Sequence, residues 1–281
     1  MNELVRKMQQ DMVIRNYSPK TVSLYMWHVN AFDSHIEKPL EQVTDDDIRS
    51  YLYHLKSVKQ SSTSKLRQAF SAIKYLYRQT INMPLELNEL RGPKRGRQLP
   101  PVLSTEDVGM LLGNVGNLKH HLIFMTLYSA GLRLNECTHL RVSDIDSKRM
   151  AIRVRQGKGN KDRYTLLSEA LLEKLRFYWQ IEKPAHWLFP GRNHDKPITG
   201  SSVQKAFHRA RERAGIRKEV SVHSLRHSFA THLLEQGVNL FTIKELLGHS
   251  SIHSTLIYLH LQHNNKKSIV NPLDQLFDGL K

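Results

Sequence analysis

Apolar residues recur at helical spacing through the first 90 positions. Val22, Tyr25, Met26 and Val29 follow Ser18-Pro19, where serine can cap a helix and proline can take its first turn. The acidic triplet at 45–47 opens a second run carrying Ile48, Tyr51, Leu52 and Leu55. A third starts near 61–64, with Leu66, Phe70, Ile73, Leu76 and Tyr77 on one stripe. Short polar joints separate these runs, so 1–90 is predicted to be a small helical bundle. The pattern stops at LRGPKRGRQLPPVLS (90–104), where two glycines, three prolines and four basic residues with no acid cannot continue a helix. We read 91–103 as a basic linker whose Arg91, Lys94, Arg95 and Arg97 can meet phosphates.

Ser104-x-x-Asp107 is a capping box and starts a second domain, 104–281. Helical patterns cover 105–113 and 118–130. MAIRVRQ (150–156) then alternates like a strand, and GKGNKDRYTLL reads as a tight turn and a second strand. Helices are predicted again over 168–180, 200–214, 224–236, 240–247 and 252–262. Beyond them the chain is polar at HNNKKS (263–268). Val270, Leu273 and Phe277 then match a short amphipathic helix started by Asn271-Pro272. A segment this short needs a surface to dock on, either its own domain or a neighbouring subunit. The expected fold class is therefore mainly α with a small antiparallel β-sheet: an N-terminal helical bundle, then an α+β domain ending in a tail over 263–281.

Charge narrows the partners. Lys and Arg number 42 against 26 Asp and Glu, a formal net charge of +16. Residues 1–90 hold 12 basic and 10 acidic side chains, and 91–281 hold 30 and 16, so the positive field belongs to the later part. Such a field suits a polyanion, most simply nucleic acid, although a solvated basic surface gives the same count. Cys137 is the only cysteine, so no intrachain disulfide can form; a reducing compartment and a small buried hydrophobe are the expected readings. The N-terminus lacks the apolar core of a signal peptide, and LIFMTLY (122–128) is too short to span a bilayer. A cytoplasmic protein with no membrane partner is expected.

The densest chemistry is HSLRHSFATHLLEQG (223–237). His223-x-x-x-His227 has the spacing of two metal ligands on one helical face. Zinc hydrolases, however, place a glutamate directly after the first histidine, where this chain has Ser224, and no Cys, Asp or Glu stands nearby as a third ligand. No metal is expected. On a helix of roughly 100° per residue, Leu225, Phe229 and Leu233 fall within about 80° and form the buried stripe. His232 lies about 20° outside that stripe and reads as structural. His223 and Arg226 lie within about 60° of each other at the helix N-terminus, where free N–H groups and the macrodipole favour an anion.

Three further boxes are ambiguous singly. In SAGLRLNECTHL (129–140), Gly131 ends one helix and Arg133 opens the next with Glu136 three residues on; an arginine there is usually a surface charge. In GKGNKDR (157–163), glycines let the backbone approach a partner, but a hairpin turn with solvated lysines would look the same. In LLGHSSIHSTLIYLH (246–260), Gly248 stops a helix, His249 follows and Tyr258 comes nine residues later, at a spacing that ordinary core tyrosines share.

In order, AGLRLNE, GKGNKDR, HSLRHSFATHLL and LLGHSSIHSTLIY resemble the tyrosine recombinases of the phage-integrase and Xer-like group. The helical segment and basic linker are similar to that family's SAM-like core-binding domain, so the resemblance spans essentially the whole chain. Asn135 and Cys137 stand where Ser and Leu are usual, and Ser254 where Thr is frequent; none is a reacting group. The resemblance implies a site-specific DNA recombinase or integrase with Tyr258 as nucleophile, forming a 3′-phosphotyrosyl bond. It implies Arg133 and Arg226 as the phosphate clamp, Lys158 as general acid, His223 as general base and His249 as a hydrogen-bond donor to phosphate. No cofactor is implied. The partners are double-stranded DNA and further copies of the chain, assembled as a tetrameric synapse on DNA. A type IB-like topoisomerase or a non-catalytic DNA-binding protein are the alternatives.

Overall fold

The computed structural model describes residues 2–83, 99–155 and 162–261. Most of the expected linker, the GKGNK turn with Lys158, and the tail 263–281 lie outside the described residues. The chain divides into two compact units, Met1–Arg97 and Gln98–Lys281.

The first unit is helical: α1 (Glu3–Ile14), α2 (Pro19–Asp33), α3 (Asp45–Ser57) and α4 (Thr63–Tyr75). Ser18, Thr44 and Ser62 cap α2, α3 and α4 through their side chains, each accepting from a free N–H of the first turn. Pro19 opens α2 as expected. Apolar spacing predicts α2, α3 and α4 but not α1, which adds Val5, Met8 and Met12 to a core of Val29, Phe32, Ile48, Ile73 and Tyr77. The Tyr77 hydroxyl is buried but donates to the Leu40 carbonyl at 2.9 Å, so no polar group is left unmatched there.

The second unit begins with α5 (Thr105–Gly113), started by the Ser104/Asp107 capping box, then α6 (Leu118–Ser129) and the short α7 (Leu134–Thr138). Strands β1 (Ile145–Asp146), β2 (Ala151–Val154) and β3 (Arg163–Leu166) form an antiparallel sheet in sequential order. Val154 pairs with Arg163 and Ala151 with Leu166, a register that points Ile152 and Val154 into the core. Among the described residues five helices follow: α8 (Glu169–Glu182), α9 (Gly200–Arg213), α10 (Val222–Glu235), α11 (Leu240–Leu247) and α12 (His253–Leu256). Strand β1 is not among the predicted elements, because two residues are too few to show an alternation. The helix expected over 252–262 is a correction: α12 has four residues and gives way to a 3₁₀ turn, Ile257–Leu261.

Helix α10 lies at the centre of this unit, against α6, α11 and the 3₁₀ turn. Leu225 and Phe229 are buried as expected, Leu233 only partly. His232 shares a hydrogen bond of 2.9 Å with the Tyr128 hydroxyl, in keeping with a structural role. Gly131 makes the tight passage from α6 to α7. Its φ is +60°, and a Cβ there would sit 2.4 Å from Phe229 Cδ1 and 2.9 Å from Leu247 Cδ2. Gly131→Ala combines a left-handed backbone penalty with overpacking and should destabilise this unit by about 2–4 kcal/mol. Urea unfolding measures it, and a loss under about 1 kcal/mol would mean that Phe229 moves aside easily.

Candidate active site

Four of the expected residues converge in the second unit. Arg133 is the N-cap of α7, and Glu136 at its third position accepts from the Arg133 backbone N–H at 2.8 Å. The carboxylate also takes Arg133 Nη1 at 2.7 Å. Arg226, in the first turns of α10, is only 5% exposed and turns its guanidinium inward. Its Nη1 donates to the Gly131 carbonyl at 2.6 Å and its Nη2 to the Leu247 carbonyl at 2.7 Å. Arg226 also stands 3.7 Å from Glu136. Burial, with help from the Arg133 charge, lowers the Arg226 pKa to about 10, so it stays a cation at neutral pH.

Tyr258 lies on the 3₁₀ turn and is 1% exposed. His249, just past the left-handed cap at Gly248, stacks on the Tyr258 ring with centroids 6.4 Å apart and planes 10° off parallel. The buried Thr255 hydroxyl fixes the His249 ring through Nδ1 at 2.9 Å. Burial raises the Tyr258 pKa, against the pull of Arg226 and Arg133. Burial and then Arg226 lower His249 to about 4, which leaves it neutral at pH 7. His223, at the start of α10, is exposed and makes no hydrogen bond among the described residues; desolvation, Arg226 and Arg133 all lower its pKa. Lys158 lies outside the described residues. Among the described residues no group of three or more His, Cys, Asp or Glu could hold a metal ion. Cys137 is fully buried, with its thiol pKa pushed up by burial, as a structural cysteine should be.

Family comparison gives this cluster its setting. The phage integrase family profile matches residues 101–265, which hold every one of these side chains. The chain belongs to the phage integrase family. A second profile, the N-terminal SAM-like domain of phage integrases, matches residues 4–87. A Sinorhizobium fredii protein provisionally named as the integrase/recombinase y4qK is 40% identical over 279 residues, covering 98% of this chain and 90% of its own. The tyrosine recombinase XerA of Thermococcus onnurineus is 34% identical and covers 100% and 98%. Among solved structures, a lambda integrase tetramer bound to a Holliday junction shares the fold with a TM-score of 0.76 at 18% identity, covering 91% of this chain and 76% of that one.

Two residues of this integrase-family site are not singled out by the sequence. His227 stands out there only for metal-ligand spacing, yet its Nδ1 lies 3.1 Å from the Tyr258 hydroxyl. Burial, then Arg226, lowers its pKa to about 4, so the ring is neutral and its Nδ1 can accept a hydrogen bond from the phenol. Arg163, at the start of β3, reaches the Glu136 carboxylate with both terminal nitrogens, at 3.0 and 2.8 Å. Nothing in the spacing could announce the His227 contact, which joins α10 to a turn 31 residues later. Arg163 is visible only as the last letter of a basic box, where solvated and buried arginines look alike. Among the described residues no helix is long and apolar enough to cross a membrane.

Proposed function

We propose that this protein is a site-specific recombinase that cuts and rejoins double-stranded DNA through a 3′-phosphotyrosyl intermediate. The observation that carries the reading is the cluster of Tyr258, Arg226, Arg133, His227 and His249, in a chain with +16 formal charge. An attacked phosphodiester gains charge on its non-bridging oxygens, and paired guanidiniums meet it with fixed planar donors. Arg133 and Arg226 take that role. The Tyr258 oxygen bonds to phosphorus, the bond to the 5′ oxygen breaks, and that oxygen takes a proton from Lys158. His223 receives the phenol proton, being exposed and without a hydrogen bond among the described residues. His249 donates to a phosphate oxygen. Religation reverses these steps with a hydroxyl from another strand, so the bond energy stays in the ester and neither nucleotide nor metal is required.

Because Tyr258 is covered in this state, DNA binding has to free it from His227. The brief α12 and the 3₁₀ turn after it are held by few helical hydrogen bonds and are the natural element to move. Functional boundaries follow the sequence: a core-binding domain over 1–90, a linker over 91–103 and a catalytic domain over 104–281. Lambda integrase, whose fold this chain shares, binds a Holliday junction as a tetramer. By the same arrangement, four copies of this chain act together on two duplexes, in the cytoplasm. The tail 263–281 is expected to link neighbouring copies.

A nicked duplex carrying a site selected by the protein from random DNA tests this. In excess EDTA it should yield a covalent protein–DNA adduct and a free 5′-hydroxyl. A strict need for Mg²⁺, with 5′-phosphate products and no adduct, would make the protein a metal nuclease. Exchange of strands between two labelled duplexes separates recombinase from topoisomerase.

A further inference from the structure

Three consecutive carbonyls end helix α11, and each is met by a different arginine. Arg163 Nε donates to Leu246 at 3.0 Å, Arg226 Nη2 to Leu247 at 2.7 Å and Arg133 Nη2 to Gly248 at 3.4 Å. The same three guanidiniums gather around one carboxylate, Glu136. They are not equivalent. Among the described residues Arg133 and Arg226 engage only their two terminal nitrogens, which leaves Nε–H and the second N–H of each terminal nitrogen for a phosphate. Arg163 has its Nε on Leu246 and both terminal nitrogens on Glu136, in a fork that matches a carboxylate edge to edge. The fit is close: a Cβ added to Gly248 would lie 2.7 Å from Arg163 Cδ.

We propose that Arg163 is a positioning residue that neutralises Glu136, so that Arg133 and Arg226 keep their full charge for the scissile phosphate. The inference rests on the recombinase reading above. Glu136 orients Arg133 through the backbone and the guanidinium, and without a counter-ion its charge would be drawn from the clamp itself. Burial alone would push the Glu136 pKa up; the bonds and charge of Arg163, then those of Arg133, hold it at about 2. The carboxylate is thus charged at neutral pH, and because its side chain is only 9% exposed that charge has to be balanced. Arg163 supplies the balance from the side of β3, and through Leu246 it ties β3 to the turn that carries His249.

The test is a cycle of Arg163→Gln, Glu136→Gln and the double variant, read as the single-turnover rate of adduct formation on the nicked duplex. Arg163→Gln alone should slow the reaction roughly 10- to 100-fold, because Glu136 then competes with phosphate for Arg133 and Arg226. The double variant should recover to within about threefold of Glu136→Gln alone, since no charge is left to balance. A residue that merely propped up the fold would give no such rescue, because Glu136→Gln does not restore the Leu246 contact. A double variant as slow as Arg163→Gln, or an Arg163→Gln protein as fast as wild type, overturns the proposal. If thermal melting shows Arg163→Gln unfolded, Arg163→Lys, which keeps the charge but loses the fork, takes its place under the same rescue criterion. Tyr258→Phe runs beside each variant: an adduct there overturns the recombinase reading itself, whereas its absence leaves the cycle to judge Arg163.

Discussion

Tyr258→Phe is expected to lower covalent attachment to DNA by a factor on the order of 10⁴ or more, with DNA binding nearly unchanged. Only one oxygen is lost. Its sole described hydrogen bond runs to His227, so the folded protein should lose about 1 kcal/mol, far too little to explain the effect by unfolding. The phenylalanine ring would still stack against His249, because the stacked contact involves the ring rather than the hydroxyl. A gel that separates bound from covalently linked DNA reads both effects at once. An adduct from the variant would mean that another residue is the nucleophile.

Arg226→Ala should rank second, with a loss of roughly 10²–10³ in cleavage rate, the magnitude typical of removing a fixed donor to developing negative charge. This change also strips two buried carbonyls, Gly131 and Leu247, of their donors, at about 1–3 kcal/mol each. Rate and stability therefore have to be measured together, below the melting range of the variant. Arg226→Lys makes the distinction sharper. A single ammonium keeps the charge but cannot bridge the two carbonyls and a phosphate in one plane, so most of the rate should stay lost. Near-full recovery by lysine would show that charge alone suffices and that the planar fork does not matter here.

Much of the fold is legible in the amino-acid order. Ser18, Ser104 and Asn239 are side-chain caps, and each sits where polar residues precede an apolar period, so helix starts can be read closely. Gly131 and Gly248 mark stops because both adopt a left-handed backbone, which glycine tolerates and other residues resist. Spacing also places His223 and Arg226 in the first turns of α10, where the structure has them. Local sequence cannot supply the pairings across distance. Arg163 meets Glu136 from 27 residues away and His227 meets Tyr258 from 31, and neither separation carries a period. The break after Leu256 is hidden for a different reason: HSTLIYLH has helical apolar spacing, and no glycine or proline stands there to stop it.

The inward turn of Arg226 is the most instructive difference. On the helical wheel it shares a face with His223, yet His223 is exposed while Arg226 is almost wholly covered. A long side chain need not follow the direction of its Cβ, and here two bare carbonyls and a carboxylate draw the guanidinium in. On the proposed mechanism this guanidinium is fixed before DNA arrives, and Tyr258 is the part that has to move.

Whether Tyr258 itself becomes joined to DNA is tested most directly by peptide mapping of the trapped adduct. The protein is incubated with the nicked duplex, the DNA is digested to a short remnant, and the protein is cleaved and analysed by mass spectrometry. The expected result is a nucleotide remnant, linked through its 3′-phosphate, on the peptide containing Tyr258 and on no other. A remnant on a different residue, or linkage through a 5′-phosphate, would contradict the proposed chemistry.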